Sequence, residues 1–361
     1  MSYTDNEKAI IWIDCFVGLS KEQKLKIINC TKDPSAILHD VNRLKPYVGK
    51  EVDEKTFNLL NAALKLNIDK SIIAELDKCG VRAVTCMSDD YPTKLLSIPN
   101  PPLILYCKGN ISLLNSAKMF SMVGSRRTLP SIVAKAEIFS AELSKNGVTV
   151  VTGIAEGVEA AVINGALNSG NIISVLPGGF KHVYPTFHRS LFERIAEKGL
   201  VVSEHSPDVV SKNYFYPDRN RLLAALSDGV LVCSAGLKSG TSYTVDFANS
   251  YGKDVFAFPY TLGEPTGEGC NALIKEFAML CDSVDDIFTA LRVVKRKACE
   301  DCKLSEKEQK VYNCIKDGEI HIDILLQKTG MKIFEISPIL TMLEIKKLII
   351  KAPGNLYAAI K

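Results

Sequence analysis

No apolar stretch in this 361-residue chain approaches the ~20 residues needed to cross a bilayer, so no membrane-spanning helix is expected. Residues 1–20 scatter charges and lack a signal-peptide layout, which points to a cytoplasmic protein. Charge of either sign is scarcely in excess: the net value is +3, so a basic footprint for nucleic acid has to be local. Histidine is rare, with five in all. Only His182 and His188 fall near the motifs below, and no carboxylate pair accompanies them, so no catalytic residue is assigned. The eleven cysteines sit in a chain too long for a disulfide scaffold and read as reduced thiols. Cys299-Glu300-Asp301-Cys302 has no second pair at zinc spacing, so neither metal nor cofactor is expected.

What is present is a change of pattern along the chain. Residues 1–80 read as short helices, a small SAM-like or helix-hairpin-helix domain. A proline-rich connector follows through Asp89-Asp90-Tyr91-Pro92 and Pro99-Asn100-Pro101-Pro102, then an edge strand over Leu103–Tyr106. From Met119 strand and helix alternate. The apolar runs are Met119–Val123, Val148–Thr152, Ile172–Leu176, Leu200–Ser203, Val230–Cys233 and Val255–Phe258. That alternation predicts an α/β fold, a parallel Rossmann-like sheet covered on both faces, over residues 81–292. A basic linker is expected at 293–303. Residues 304–361 then give three helical patterns and a hairpin signal at Pro353-Gly354-Asn355, the outline of a winged helix.

Ligands in such sheets bind beyond the carboxyl ends of the strands, and five loops fall there. Gly124-Ser125-Arg126-Arg127 offers close backbone approach and a guanidinium fork for phosphate. It is neither a G-x-G-x-x-G fingerprint nor a Walker loop. Thr152-Gly153-Ile154-Ala155-Glu156-Gly157 opens a helix, and its glycines suit either a phosphate or tight helix–sheet packing. Leu176-Pro177-Gly178-Gly179-Phe180-Lys181-His182 supplies a turn with backbone N–H groups, a charge at Lys181 and a ring at Phe180 for base stacking; a core role for that ring is the alternative. Tyr184-Pro185 follow. Phe215-Tyr216-Pro217-Asp218-Arg219-Asn220-Arg221 and Gly236-Leu237-Lys238-Ser239-Gly240-Thr241-Ser242 join basic turns to helix starts, where free N–H groups and the dipole favour anions. Arg219 and Arg221 lie two apart and point in different directions, so one binds phosphate while the other pins the loop. Serine and threonine at 239–242 equally suit helix capping. The third helix of the winged module is poorly basic, which favours a protein contact over base reading.

Taken together, these residues resemble the DNA-processing protein A (DprA/Smf) family. The resemblance runs from Asp89 to about Ala278. It rests on Tyr91-Pro92, Pro101-Pro102, Val123-Gly124-Ser125-Arg126, Thr152–Gly157, Tyr184-Pro185, Ser203-Glu204, Tyr216–Arg221, Ser239-Gly240-Thr241 and Gly269-Cys270-Asn271-Ala272-Leu273-Ile274. Departures fall at Pro130-Ser131, Glu159, Ile163, His188 and Ser234. The resemblance implies a non-catalytic, dimeric protein that binds and protects incoming single-stranded DNA and helps load RecA recombinase in natural transformation and recombination. Its basic pocket, carried over by motif, falls on Arg126, Arg219, Arg221 and Lys238, with Lys181 added from charge and position. The expected strand-binding set is Gly124, Ser125, Arg126, Gly153, Gly178, Gly179, Phe180, Lys181, Arg219, Asn220, Arg221, Lys238, Ser239, Gly240 and Thr241. Two other readings stand beside it. A nucleotide phosphoribohydrolase of the lysine-decarboxylase-like group would need a P-G-G-x-G-T-x-x-E motif that is half present at Pro177-Gly178-Gly179. A scaffold would act through the winged helix alone.

Overall fold

The computed structural model describes residues 2–16, 18–31, 33–64, 68–183, 188–295, 304–316, 318–346, 348–352 and 354–359. Tyr184-Pro185, the Cys299–Cys302 motif and Pro353 lie outside them. The chain divides into two compact units, residues 1–294 and 295–361.

The first unit opens with helices α1 (Asp5–Asp14), α2 (Lys21–Asn29), α3 (Ser35–His39), α4 (Glu54–Leu64) and α5 (Ile68–Cys79). Thr4 with Glu7, and Ser20 with Gln23, close capping boxes that fix where α1 and α2 begin. Ile10, Ile11, Trp12 and Ile13 of α1 are buried in one apolar cluster with Tyr106 and Phe120 of the sheet. Polar ties add to this: Tyr106 donates its hydroxyl to Asp14 at 2.8 Å, and the Ala83 amide donates to the Tyr3 hydroxyl at 3.0 Å. The helices expected to stand apart over residues 1–80 therefore belong to the same compact unit as the sheet.

The sheet has β1 (Arg82–Thr85), β2 (Ile104–Gly109) and β3 (Met119–Gly124), then α6 (Pro130–Lys145), β4 (Thr149–Thr152), α7 (Val158–Ala166), β5 (Ile172–Leu176), α8 (Arg189–Lys198), β6 (Leu200–Ser203), α9 (Phe215–Leu226), β7 (Gly229–Ser234), α10 (Thr241–Ser250), β8 (Asp254–Ala257), α11 (Glu268–Glu276), β9 (Met279–Leu280) and α12 (Val284–Leu291). Its order is β1-β2-β6-β5-β4-β3-β7-β8-β9. The pairings from β6 to β9 are parallel, while β1 and β2 close one side antiparallel. The near-continuous apolar runs of β3 to β8 arise because helices cover both faces. The strand expected at the edge, Leu103–Tyr106, is second from it. Arg82–Thr85 pairs outside it, in a stretch that precedes the strand–helix alternation and carries no pattern marking it as a strand. Successive strands step away from β3 through β4, β5 and β6, and the chain then returns to place β7 on the other flank of β3. The switch point of this doubly wound sheet thus lies between β3 and β7, and a ligand crevice is expected beyond their carboxyl ends.

The second unit contains α13 (Glu306–Ile315), β10 (Ile320–His321), α14 (Ile322–Thr329), α15 (Ile333–Ile345), β11 (Ile349–Ala352) and β12 (Leu356–Ala359). Its three strands pair antiparallel in the order β10-β12-β11 over a separate core that includes Val311, Leu325, Ile336 and Leu343. This is a winged helix. Among the described residues, no helix is long and apolar enough to cross a membrane.

Candidate nucleic-acid interface

An open cleft of about 1290 Å³ lies beyond the carboxyl edge of the sheet at the switch point. The loop after β3 supplies Gly124, Ser125 and Arg126; the loop and start of α10 supply Lys238, Ser239, Gly240, Thr241 and Tyr243. The two loops are stitched together, since the Ser125 amide and hydroxyl both donate to the Ser234 carbonyl, at 3.1 and 3.3 Å. Ser234, one of the family departures, donates its hydroxyl to the Thr266 carbonyl at 2.9 Å and lies in hydrogen-bond contact, 2.9 Å, with the Thr128 hydroxyl. Gly157 precedes α7 in the left-handed region, φ 73°, and a Cβ there would lie 2.3 Å from the Arg126 carbonyl oxygen. Only glycine lets α7 sit this close beneath the arginine.

Arg126 is exposed, with its guanidinium over the Tyr216 ring at 5.6 Å. Lys238 is exposed as well. Among the described residues neither has an ion-pair partner. The N-terminus of α10 opens into the same cleft at Gly240; Ser239 accepts from the Thr241 amide on its hydroxyl at 3.4 Å and from the Ser242 amide on its carbonyl at 3.1 Å, and the positive end of the helix dipole faces the cleft. These are groups that attract a phosphate.

Other basic residues are already engaged. Arg219 is 6% exposed in the cleft floor, donating to the Val175 carbonyl at 2.7 Å and to Asn220 at 3.0 Å, and paired with buried Glu159 at 3.4 Å. Glu159 is held in turn by the Ala155 amide at 2.7 Å. Asn220 continues the chain to the Gly240 carbonyl at 3.3 Å. Arg219 therefore braces the floor and joins α9 to the α10 loop. Lys181 lines the cleft between two carboxylates, Glu75 at 2.5 Å and Asp208 at 2.8 Å. Its ammonium is held above the usual lysine range by the hydrogen bonds to Asp208 and Glu75.

Five expected binding residues do not line the cleft. Arg221 is buried, donating to both oxygens of Glu204 at 2.5 Å and to the Asn100 carbonyl at 2.7 Å; it pins the loop. Phe180 is 4% exposed and packs on Phe192, with centroids 5.7 Å apart, so it is a core ring and not a stacking platform. A Cβ on Gly153 would fall 1.9 Å from Arg219 Nη1, so that glycine makes room for the Arg219–Glu159 pair. Gly178 and Gly179 admit the 206–211 segment, whose backbone would meet a Cβ at either position. The Gly179 amide, expected to be free, donates to the Val209 carbonyl at 2.7 Å. His188 is buried with Nδ1 2.5 Å from the Ile154 carbonyl, a structural role.

The rings that do line the cleft are Tyr216, half-buried, Tyr243, 50% exposed, and the exposed imidazole of His182. Sequence reasoning passed over both tyrosines; the available signal was an aromatic within one turn of each anion-binding helix start. Val210, Ser211, Asn213, Pro265 and Thr266 also line the wall and carried no such signal.

The family described as DNA recombination-mediator protein A matches residues 82–292, and the DprA winged helix domain matches residues 297–355. DNA processing protein DprA of Bacillus subtilis is 32% identical over 239 residues, 64% of this chain and 80% of that protein. The structure of DNA processing protein A from Streptococcus pneumoniae superposes with a TM-score of 0.65 at 28% identity, covering 80% of this chain and 98% of that one. A structure of the Helicobacter pylori protein, solved for its unique single-stranded DNA binding mode, gives a TM-score of 0.54 at 30% identity over 59% of this chain and 95% of that one.

Proposed function

The chain belongs to the DNA recombination-mediator protein A family, and on that premise we propose that it binds single-stranded DNA in the switch-point cleft with little regard to sequence. The observation that carries this reading is a cleft with two exposed cations, Arg126 and Lys238, that have no ion-pair partner among the described residues, beside the N-terminus of α10 and two tyrosine rings. Cations and N–H groups neutralise backbone phosphates, and tyrosine rings accept any base because every base has a π-face. The protein acts by binding and not by catalysis; Glu159, the carboxylate in the cleft floor, is committed to Arg219. As a cytoplasmic homodimer it protects incoming strands and helps load RecA recombinase in transformation and recombination, with residues 304–361 as a protein-contacting module joined through 293–303.

The test is fluorescence anisotropy of a labelled oligo-thymidine across salt concentrations, with duplex DNA as competitor. Affinity is expected to fall with a log–log slope of about 0.7 per phosphate contact. Arg126→Ala should weaken all sequences alike and flatten that slope by about one contact. Binding that prefers duplex, or an Arg126→Ala variant with unchanged affinity and slope, would overturn this reading.

A further inference from the structure

We infer that Glu75 and Asp208 form an acidic rim that holds Lys181 off the strand, keeping affinity below what the cleft's cations allow and bound DNA releasable. This rests on the single-strand reading of the cleft. Lys181 is the sole lysine on the β5 side of the lining, yet two carboxylates share it, at 2.5 and 2.8 Å. At Lys181 one ammonium meets two carboxylates, with Lys78 acting on Glu75 from the same helix, so the carboxylate of Asp208 is the rim charge left least compensated. β5 lies two strands from β3, a spacing of about 10 Å, so in low salt, where screening reaches about 30 Å, the rim acts on a phosphate held by Arg126.

The rim is built into the fold. Asp208 sits in the segment between β6 and α9, which is tied by backbone bonds to the turn carrying Lys181: the Lys181 amide donates to Pro207 at 3.0 Å and the Gly179 amide to Val209 at 2.7 Å. Glu75 arrives from α5, in the N-terminal helical layer. All three side chains are partly exposed, 37% for Lys181, 39% for Glu75 and 65% for Asp208, so their pairing is weak and exchangeable. A strand seated near Arg126 therefore meets repulsion from the rim, which shortens its stay. Such a protein can pass its strand on.

Most substitutions in a binding cleft weaken binding; these two are expected to tighten it. In the anisotropy assay, with melting temperature as the folding check, Glu75→Gln combined with Asp208→Asn should bind oligo-thymidine about three- to fivefold tighter at low salt. Its salt slope should steepen by about 0.7 as Lys181 becomes free to meet a phosphate. Lys181→Met, which leaves the rim uncompensated, should weaken binding. If Arg126→Ala weakens binding while the Glu75/Asp208 double variant binds no tighter than wild type, the rim idea fails and the cleft reading stands. If Lys181→Met fails to weaken binding, the rim idea fails as well. If no variant, Arg126→Ala included, changes the affinity, the cleft reading itself has failed.

Discussion

Arg126 and Arg219 carry the same guanidinium and line the same cleft, yet one is exposed over a tyrosine ring and the other is spent on a buried carboxylate. What separates them is the neighbour, and neighbours distant in sequence are not written beside a residue. Lys181 meets Glu75 across 106 positions, and Phe180 meets Phe192 only once α8 has packed. That is why the charged members of the cleft were legible from helix starts while their availability was not. The ring assignments offer a clean check. Phe180→Ala should cost about 3–5 kcal/mol of stability through the cavity it leaves, measured by denaturant unfolding. Tyr216→Ala and Tyr243→Ala should instead leave the melting point almost unmoved and each lower affinity by about 1–3 kcal/mol in anisotropy. The opposite pattern would return base stacking to Phe180.

At the scale of elements, the helix starts and parallel strands were legible because apolar runs alternate with helical patterns from Met119 onward. β1 is no shorter than β4, β6 or β8 but escaped because it precedes that alternation and pairs antiparallel with β2. The segment between β6 and α9 also gave little sign of its role, although it walls the cleft through Val210, Ser211 and Asn213. It is anchored by His205, whose ring stacks on Phe215 at 4.1 Å. Burial pushes the His205 imidazolium below its ordinary value of 6.5, more than the nearby Glu204 carboxylate restores. The unfolded chain therefore takes up this proton more readily than the fold, so stability is complete above 6.5 and declines as pH falls through that value towards the lower folded one. Glu75 and Asp53 are shifted downward and lose their contributions only in more acidic solution. The melting temperature should thus drop between about pH 7.5 and about pH 5.5, and His205→Gln should remove most of that dependence. A wild-type melting point flat across this window would show that His205 does not hold the segment.

For the whole molecule, the winged helix was readable as a unit of its own because its apolar pattern closes on itself. The N-terminal helices read as separate too, since nothing local announces that Trp12 and Ile10–Ile13 bury against a sheet beginning seventy residues later. The consequence is unequal tolerance to truncation. Removing residues 295–361 leaves the first unit's cores intact, and that fragment should melt cooperatively. Removing residues 1–80 strips at least five large buried side chains, among them Tyr3, Ile10, Ile11, Trp12 and Ile13. At about 1.5–3 kcal/mol each this rivals the ~5–15 kcal/mol that holds a typical domain together. Calorimetry should find no cooperative transition for that fragment. A sharp transition would mean the sheet is self-sufficient.

The junction of β3 with β7 has a further meaning for how the protein is made. Ser125 and the Ser234 carbonyl it binds are 109 residues apart, and Lys238 and the α10 start come later still. A ribosome that has finished β6 has already produced Arg126, but the flank that turns it into half of a grip does not yet exist. On the proposed reading of the cleft, the nascent chain lacks the second half of its grip for about the first two thirds of its synthesis, when messenger RNA is the nearest single strand. With the two cations on opposite sides of the switch point, completion of the sheet would then be the condition for binding.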